Sequence, residues 1–201
     1  MKIIDQSWGW EQKPTFPLEI IEAAGRTCYK SESAITENSA KKFVEMIIKR
    51  GHESVLEHAS ASVRFITNRG VTHELVRHRL AVFSQESTRY VKYDGDMEFI
   101  KPVWGINSAH DREAYRQWVR AMEFAETSYQ NLLSLGWRPE QAREVLPNSL
   151  KTEIVVTANL REWKHIFTLR TSKAAHPQIR ELMIDCLKGF REAIPVIFDN
   201  I

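Results

Sequence analysis

Residues 71–93, VTHELVRHRLAVFSQESTRYVKY, concentrate side chains that recognise anions and planar rings. Arg77, His78 and Arg79 stand together. After an apolar run from Leu80 to Phe83 come Ser84, Gln85, Glu86, Ser87, Thr88, Arg89 and Tyr90. A guanidinium is a rigid fork of donors that matches a phosphate, and serine and threonine hydroxyls add donors beside it. The chemistry open to such a block is to hold a phosphate and the edge of a base. A solvated helix face with i,i+4 ion pairs would carry similar residues, and spacing alone favours that plainer reading.

Several elements must position these groups. Asn68-Arg69-Gly70 reads as a turn, and Thr72 as the N-cap of a helix over 72–80. On that helix Glu74 and His78 share a face, with Arg77 close by. Arg79 points about 200° away from Arg77, so the two arginines suit two anions or two parts of one ligand. Upstream, helices are expected over 17–30, with Pro17 in the first turn, and over 38–50, where Phe43, Met46 and Ile47 recur and Gly51 stops the run. A strand is expected at 61–67. Downstream, 97–102 reads as a strand ended by Pro102, and 109–135 as the longest helix. A short helix should cover 138–146, a β-branched strand 151–159, and helices 160–170 and 177–193. Helices with a few interspersed strands define an α+β class: a helix-rich single domain over 1–201 with a central mixed or antiparallel sheet.

Composition narrows the function. The chain has 201 residues, 43% hydrophobic and 27% charged, which suits a globular domain with a sizeable core. A net charge of +2 argues against a general nucleic-acid binder, so the arginines must matter locally. No repeat, linker, signal segment or membrane span is expected, and a reducing cytoplasmic setting fits the two cysteines, Cys28 and Cys186. Cys28 reads as a small buried helix residue rather than a nucleophile. No GxGxxG turn or Walker loop is present. His52 and His58 in HESVLEH are six apart, so they do not make the HExxH zinc motif, and no metal is expected.

Four ordered motifs change the weighting. RHR at 77–79, followed after seven residues by Ser87 and the TRY of 88–90, resembles the signature of the flavin-dependent thymidylate synthase family. GHESVLEH at 51–58, AREVLP at 142–147, and NLREWKHIFTLR at 159–170 with AAHPQIR at 174–180 resemble its other motifs, in order and over most of the chain. Thymidylate synthesis by a cysteine nucleophile needs Pro-Cys-His, which neither cysteine here provides.

The resemblance implies reductive methylation of dUMP. The carbon donor would be 5,10-methylenetetrahydrofolate, with FAD as cofactor, NAD(P)H as reductant, and a homotetramer sharing its active sites between subunits. Carried over by motif position, His52, Ser54, Arg77, His78, Arg79, Gln85, Asn159, Arg161 and His165 would meet the flavin. Glu74, Arg77, Gln85, Glu86, Ser87, Thr88, Arg89, Arg143 and Arg170 would meet dUMP, with Arg89 and Arg143 on its phosphate. Arg170 is the implied catalytic residue. A permanently protonated guanidinium would stabilise charge developing on N3–C4–O of the uracil as C5 becomes nucleophilic. Ser87 is expected to bind phosphate rather than attack, since no sequence feature supplies it with a base. The chain departs from the commonest family pattern at Val82, Ser84, Gln85 and His165, where many members carry Ser, Asn, Glu and Asn.

Two rival readings make different predictions. A nucleic-acid-binding face over 64–92 would give steeply salt-dependent binding and no chromophore. A flavoprotein of another reaction would be yellow but unmoved by dUMP. Trp163 and Phe167 are expected in the core, His110 at the surface, and His176 at a helix start.

Overall fold

The computed structural model describes residues 1–201. Its strands are β1 (Lys2–Ile4), β2 (Ser7–Gln12), β3 (Ser60–Asn68), β4 (Val82–Gln85), β5 (Glu98–Ile100) and β6 (Lys151–Asn159). Its helices are α1 (Pro17–Thr27), α2 (Ser39–Lys49), α3 (Arg69–Leu75), α4 (Ala109–Ser134), α5 (Pro139–Ala142), α6 (Leu160–Arg170), α7 (Pro177–Ala193) and α8 (Pro195–Phe198). Three 3-10 segments, Glu32–Ala34, Glu53–His58 and Arg143–Val145, complete the regular structure. The class is α+β, as the pattern of periodicities implied. β1 and β5 form a parallel pair in the register Lys2–Glu98, Ile3–Phe99, Ile4–Ile100. The other strands form a four-stranded sheet in the order β2-β3-β6-β4.

Contacts divide the chain into two units. The first comprises Met1–Ser7, Phe65–Arg77 and Ser84–Ile154; the second comprises Trp8–Arg64, His78–Phe83 and Val155–Ile201. The core of the first is built by α4, whose apolar residues recur every three or four positions. Met122 and Tyr129 from that helix pack with Met97, Phe99, Ala142 and Leu150, and with half-buried Trp118 and Leu132. Ser108 starts α4 with a reciprocal cap: its Oγ accepts from the Asp111 N–H at 3.0 Å, and its own N–H donates to Asp111 Oδ2 at 2.9 Å.

The second unit has an aromatic core. Trp163 and Phe167 of α6 stack at 5.5 Å, and Phe190 of α7 meets both, at 5.0 and 4.9 Å between ring centroids. Trp163 is fully buried, yet its indole N–H is satisfied by the Ala61 carbonyl at 3.1 Å. Burying side chains of this size contributes about 1.5–3 kcal/mol each. α6 is therefore a fixed platform, with Trp163 and Phe167 in the core as their helical spacing implied. Pro177 begins α7, and His176 Nδ1 accepts from the Gln178 N–H at 3.3 Å, which explains the helix start there. Gly25 permits α1 to approach α2, since a Cβ at that position would stand 2.6 Å from the Phe43 ring. Gly51 ends α2 with φ of +71°, a left-handed conformation that glycine takes without steric cost.

The arginine-rich segment departs from its expected form. Strand β3 runs directly into α3 with no intervening turn, because the Asn68 side chain caps the helix by accepting from the Val71 N–H at 2.9 Å. Thr72 is inside the helix, buried, with its hydroxyl donating back to the Arg69 carbonyl at 3.0 Å. The helix ends at Leu75, not Leu80, and 76–81 is a chain of turns. The helical face shared by Glu74 and His78, and the angle between Arg77 and Arg79, therefore do not apply. Val82 to Gln85 form β4, which the short apolar run did not disclose. The other helix and strand expectations hold within a few residues, although 138–146 divides into α5 and a 3-10 turn. No helix is long and apolar enough to cross a membrane.

Candidate active site

Within the second unit, α6 and the segment 78–83 bring together residues from two of the four motifs. Arg170, the last residue of α6, donates from Nε to His78 Nε2 at 3.0 Å. Arginine can only donate, so His78 Nε2 carries a lone pair and its proton sits on Nδ1. On that side Glu162 Oε1 faces Nδ1 at 3.4 Å. The ring of His165 meets the His78 ring edge-on, 5.8 Å between centroids. His78 and Glu162 are both 5% exposed. Burial, then the neighbouring Arg170 and His165, hold the imidazole pKa down to about 4, so the ring is neutral at physiological pH. Burial also raises the Glu162 carboxyl above its usual range, with His165 pulling the other way.

His78, Glu162 and His165 could each offer a ligand atom within 4.8 Å of the others. The cluster is a poor metal site, however. The Nε2 lone pair of His78 already accepts from Arg170, and a guanidinium beside it repels a cation.

The other side chains expected at the flavin in this unit lie on neighbouring elements. Asn159 caps α6, its Oδ1 accepting from the Glu162 N–H at 2.8 Å. Arg161 pairs with Glu57 at 2.5 Å, and Lys164 pairs with Glu53. These two ion pairs fasten α6 to the 3-10 segment that carries Ser54. His52 and Ser54 line a cavity of about 660 Å³ whose wall includes the apolar side chains of Phe43, Met46 and Ile47. Arg26, Lys42 and Arg50 add positive charge around it. Arg26 is tied to Glu22 at 2.7 Å, whereas Lys42 and Arg50 have no ionic partner. An apolar wall beside cations suits a ligand with a flat ring system and phosphates, so the residues present fit a flavin dinucleotide. Cys28, expected to be buried, is exposed beside this cavity because it caps the C-terminal end of α1 instead of facing its core. Arg79 is exposed and unpaired within the chain.

In the first unit the polar block is partly used up by the fold. Gln85 donates from Nε2 to Thr72 Oγ1 at 2.9 Å and to Thr152 Oγ1 at 3.3 Å. Glu86 accepts from the Tyr93 hydroxyl at 2.6 Å and pairs with Lys151 at 3.4 Å. Burial, reinforced by that bond to Glu86, pushes the Tyr93 hydroxyl far above its ordinary pKa, so it remains a donor. Thr88 is buried. Ser87 Oγ accepts from the Arg89 N–H at 3.2 Å, a local turn contact, and no imidazole or carboxylate reaches it. Without a base, that hydroxyl is not activated as a nucleophile.

Arg89 lies 3.6 Å from Glu140, and Arg143 3.8 Å from Glu144, and both arginines are largely exposed. Such exposed contacts are weak. Arg77 is exposed with no partner within the chain, and Glu74 lies half-buried near the end of α3.

Sequence reasoning missed Glu162. Its signal was present but pointed elsewhere, since Asn159-Leu160-Arg161-Glu162 reads as a capping box. Only half of that box forms, and the carboxylate faces His78 instead of returning to the cap. Lys42 and Arg50 were also missed, because isolated basic residues on an amphipathic helix carry no signal. Arg69, read as part of a turn, opens α3 and has a buried Nη1 without a hydrogen-bond partner.

Comparison with known proteins identifies the family. Residues 12–196 match the family model described as thymidylate synthase complementing protein. The chain is 38% identical over 173 residues to a flavin-dependent thymidylate synthase of Pyrococcus furiosus, a match covering 83% of this chain and 71% of that one. It is also 38% identical over 210 residues to one of Mycolicibacterium vanbaalenii, covering 95% and 82%. Among solved structures it resembles the UMP/dUMP methylase PolB of Streptomyces cacaoi bound with 5-Br dUMP, with TM-score 0.85, 25% identity, and coverage of 99% and 96%. The chain is an enzyme of the flavin-dependent thymidylate synthase family.

Proposed function

We propose that this enzyme converts dUMP to dTMP, taking the carbon from 5,10-methylenetetrahydrofolate and two electrons from NAD(P)H, with FAD as the bound cofactor. The observation that carries the reading is the 3.0 Å contact between Arg170 and His78, which joins motifs 92 residues apart in sequence. The methylene of the folate is at the oxidation level of formaldehyde. Making a methyl group from it consumes two electrons, the uracil C5–H leaves as a proton, and tetrahydrofolate is released. When bound, FAD supplies the two-electron carrier between NAD(P)H and the transferred carbon.

The chain's own residues bind, orient and polarise. His52, Ser54, Arg77, His78, Arg79, Gln85, Asn159, Arg161 and His165 would hold the flavin, aided by the charge of Lys42 and Arg50. Arg89 and Arg143 would hold the dUMP phosphate through charge-assisted bonds, with Ser87 and its turn beside them. Glu74, Glu86 and Thr88 would shape the nucleotide site, Glu86 and Gln85 largely through the hydrogen bonds that rigidify it. Arg170 would stabilise negative charge on the uracil N3–C4–O as C5 attacks, and a neutral His78 beside it accepts from the guanidinium without competing for that charge. Folate, a homotetramer, one functional domain over the whole chain and a cytoplasmic setting belong to the same reading.

The test is tritium release from [5-³H]dUMP by FAD-loaded enzyme, with dTMP measured directly. Release that requires both methylenetetrahydrofolate and NAD(P)H is the expected result. UMP belongs in the same assay, since the structural relative PolB is a methylase of both nucleotides. A protein that takes up no FAD, or releases no tritium with all three ligands present, overturns the reading.

A further inference from the structure

We propose that Glu162 is a positioning residue: its carboxylate fixes the tautomer and orientation of His78, and His78 in turn aims the Arg170 guanidinium. This inference rests on the assignment of Arg170 to the uracil ring. Three observations carry it. First, a carboxylate only 5% exposed is expensive to bury, and stability does not explain it. The helix cap uses the Glu162 backbone N–H, donated to Asn159, and any residue except proline supplies one at that position. Second, the bond from Arg170 Nε to His78 Nε2 requires the proton of the neutral ring to lie on Nδ1, and Glu162 Oε1 is the carboxylate oxygen facing that nitrogen, at 3.4 Å. Third, one helix supplies both ends of the chain of contacts. Arg170 lies eight residues after Glu162, a rise of about 12 Å. Side chains on a helix lean toward its N-terminus, so the long Arg170 side chain returns along α6 to meet the imidazole. His78 spans the interval, with one nitrogen toward each.

The arrangement has a defined failure. Without an acceptor at Nδ1, the ring gains the option of protonating Nε2. That tautomer presents a donor to the donor of Arg170, and the guanidinium is pushed out of line. A glutamine keeps an acceptor oxygen at the same reach, whereas a leucine of similar volume removes it.

The experiment compares FAD-loaded wild type, Glu162→Gln and Glu162→Leu by two independent readouts. ¹⁵N NMR of the histidine side chains, with His78 assigned from a His78→Gln sample, is expected to show the Nδ1–H tautomer in wild type and in the glutamine variant. The leucine variant should show a loss of that pattern. In steady-state assays the leucine variant is expected to lose about 10- to 100-fold in kcat, the range found when the outer partner of a metal-bound histidine is removed. Its KM for dUMP and its FAD content should be unchanged, and the glutamine variant should remain within about threefold of wild type. The inference is overturned if the Nδ1–H pattern survives in the leucine variant, or if both variants lose kcat equally while keeping their flavin. A wild type that shows the tautomer pattern but does not methylate dUMP would refute the functional reading and leave the Glu162–His78 contact standing.

Discussion

The polar cluster on α6 and the arginines around Ser87 are both rich in charged and hydrogen-bonding groups, yet they are built on opposite principles. His78 and Glu162 are buried, and His78 is already joined to Arg170. Arg89 and Arg143 are exposed and hold long, weak ion pairs with neighbouring glutamates, Arg89 also lying over the Tyr90 ring. A buried pair fixes geometry before a ligand arrives and has little reorganisation left to do. An exposed guanidinium captures an anion and gives up a loose partner in exchange. The first kind of site suits transition-state stabilisation and the second suits binding.

Trp163→Ala should cost about 3–5 kcal/mol of stability, measured by urea unfolding, because it opens a cavity under α6 and removes the indole bond to the Ala61 carbonyl. A loss under about 1 kcal/mol would mean the helix is not the rigid platform described. Arg170→Ala should reduce kcat by about 10²–10³ with a much smaller change in KM for dUMP. An effect confined to KM would move Arg170 into the binding class.

Protonation tests the buried side in a different way. The folded state holds His78 near 4 while the unfolded chain titrates near 6.5. The contribution is complete above the unfolded value and is lost as pH falls from about 6.5 toward 4, by up to about 3 kcal/mol. Unfolding free energy should therefore decline less steeply over that window in His78→Gln than in wild type. Parallel curves would show that His78 is not held neutral.

On the exposed side, Arg89→Ala should raise KM for dUMP by about 10- to 100-fold with kcat nearly intact, the loss of one charge-assisted contact. Added salt should weaken wild-type binding more than binding to the variant. The smallest effect belongs to Ser87→Ala, which should keep kcat within about fivefold if the hydroxyl gives one hydrogen bond to phosphate. Loss of all turnover with dUMP still bound would restore the nucleophile.

Much of this molecule is legible from local pattern. The α4 periodicity, the alternation of β6 and the Pro177 start of α7 all appear in the fold where the sequence places them. They are decided by burial of one face and by the proline ring, which are local causes. The segment 68–83 misled because two caps compete there. Thr72 offers a hydroxyl, but Asn68 stands at the end of β3 with its side chain over the Val71 N–H, so the helix begins early, at Arg69. Which cap wins, and so where the helix starts, depends on where the preceding strand delivers the chain.

The class of elements, the family and the residues available for chemistry follow from the amino-acid order alone, because hydrophobic period, glycine and proline placement and motif order need no distant partner. Folding then set the state of those residues. It made His78 neutral by burying it against Arg170, turned Glu162 from a cap into a partner of that histidine, and committed Gln85 and Glu86 to internal hydrogen bonds. Protonation state, tautomer and orientation depend on desolvation and on neighbours brought from 92 residues away in the case of Arg170 and His78. Neither cause is visible until the chain has folded.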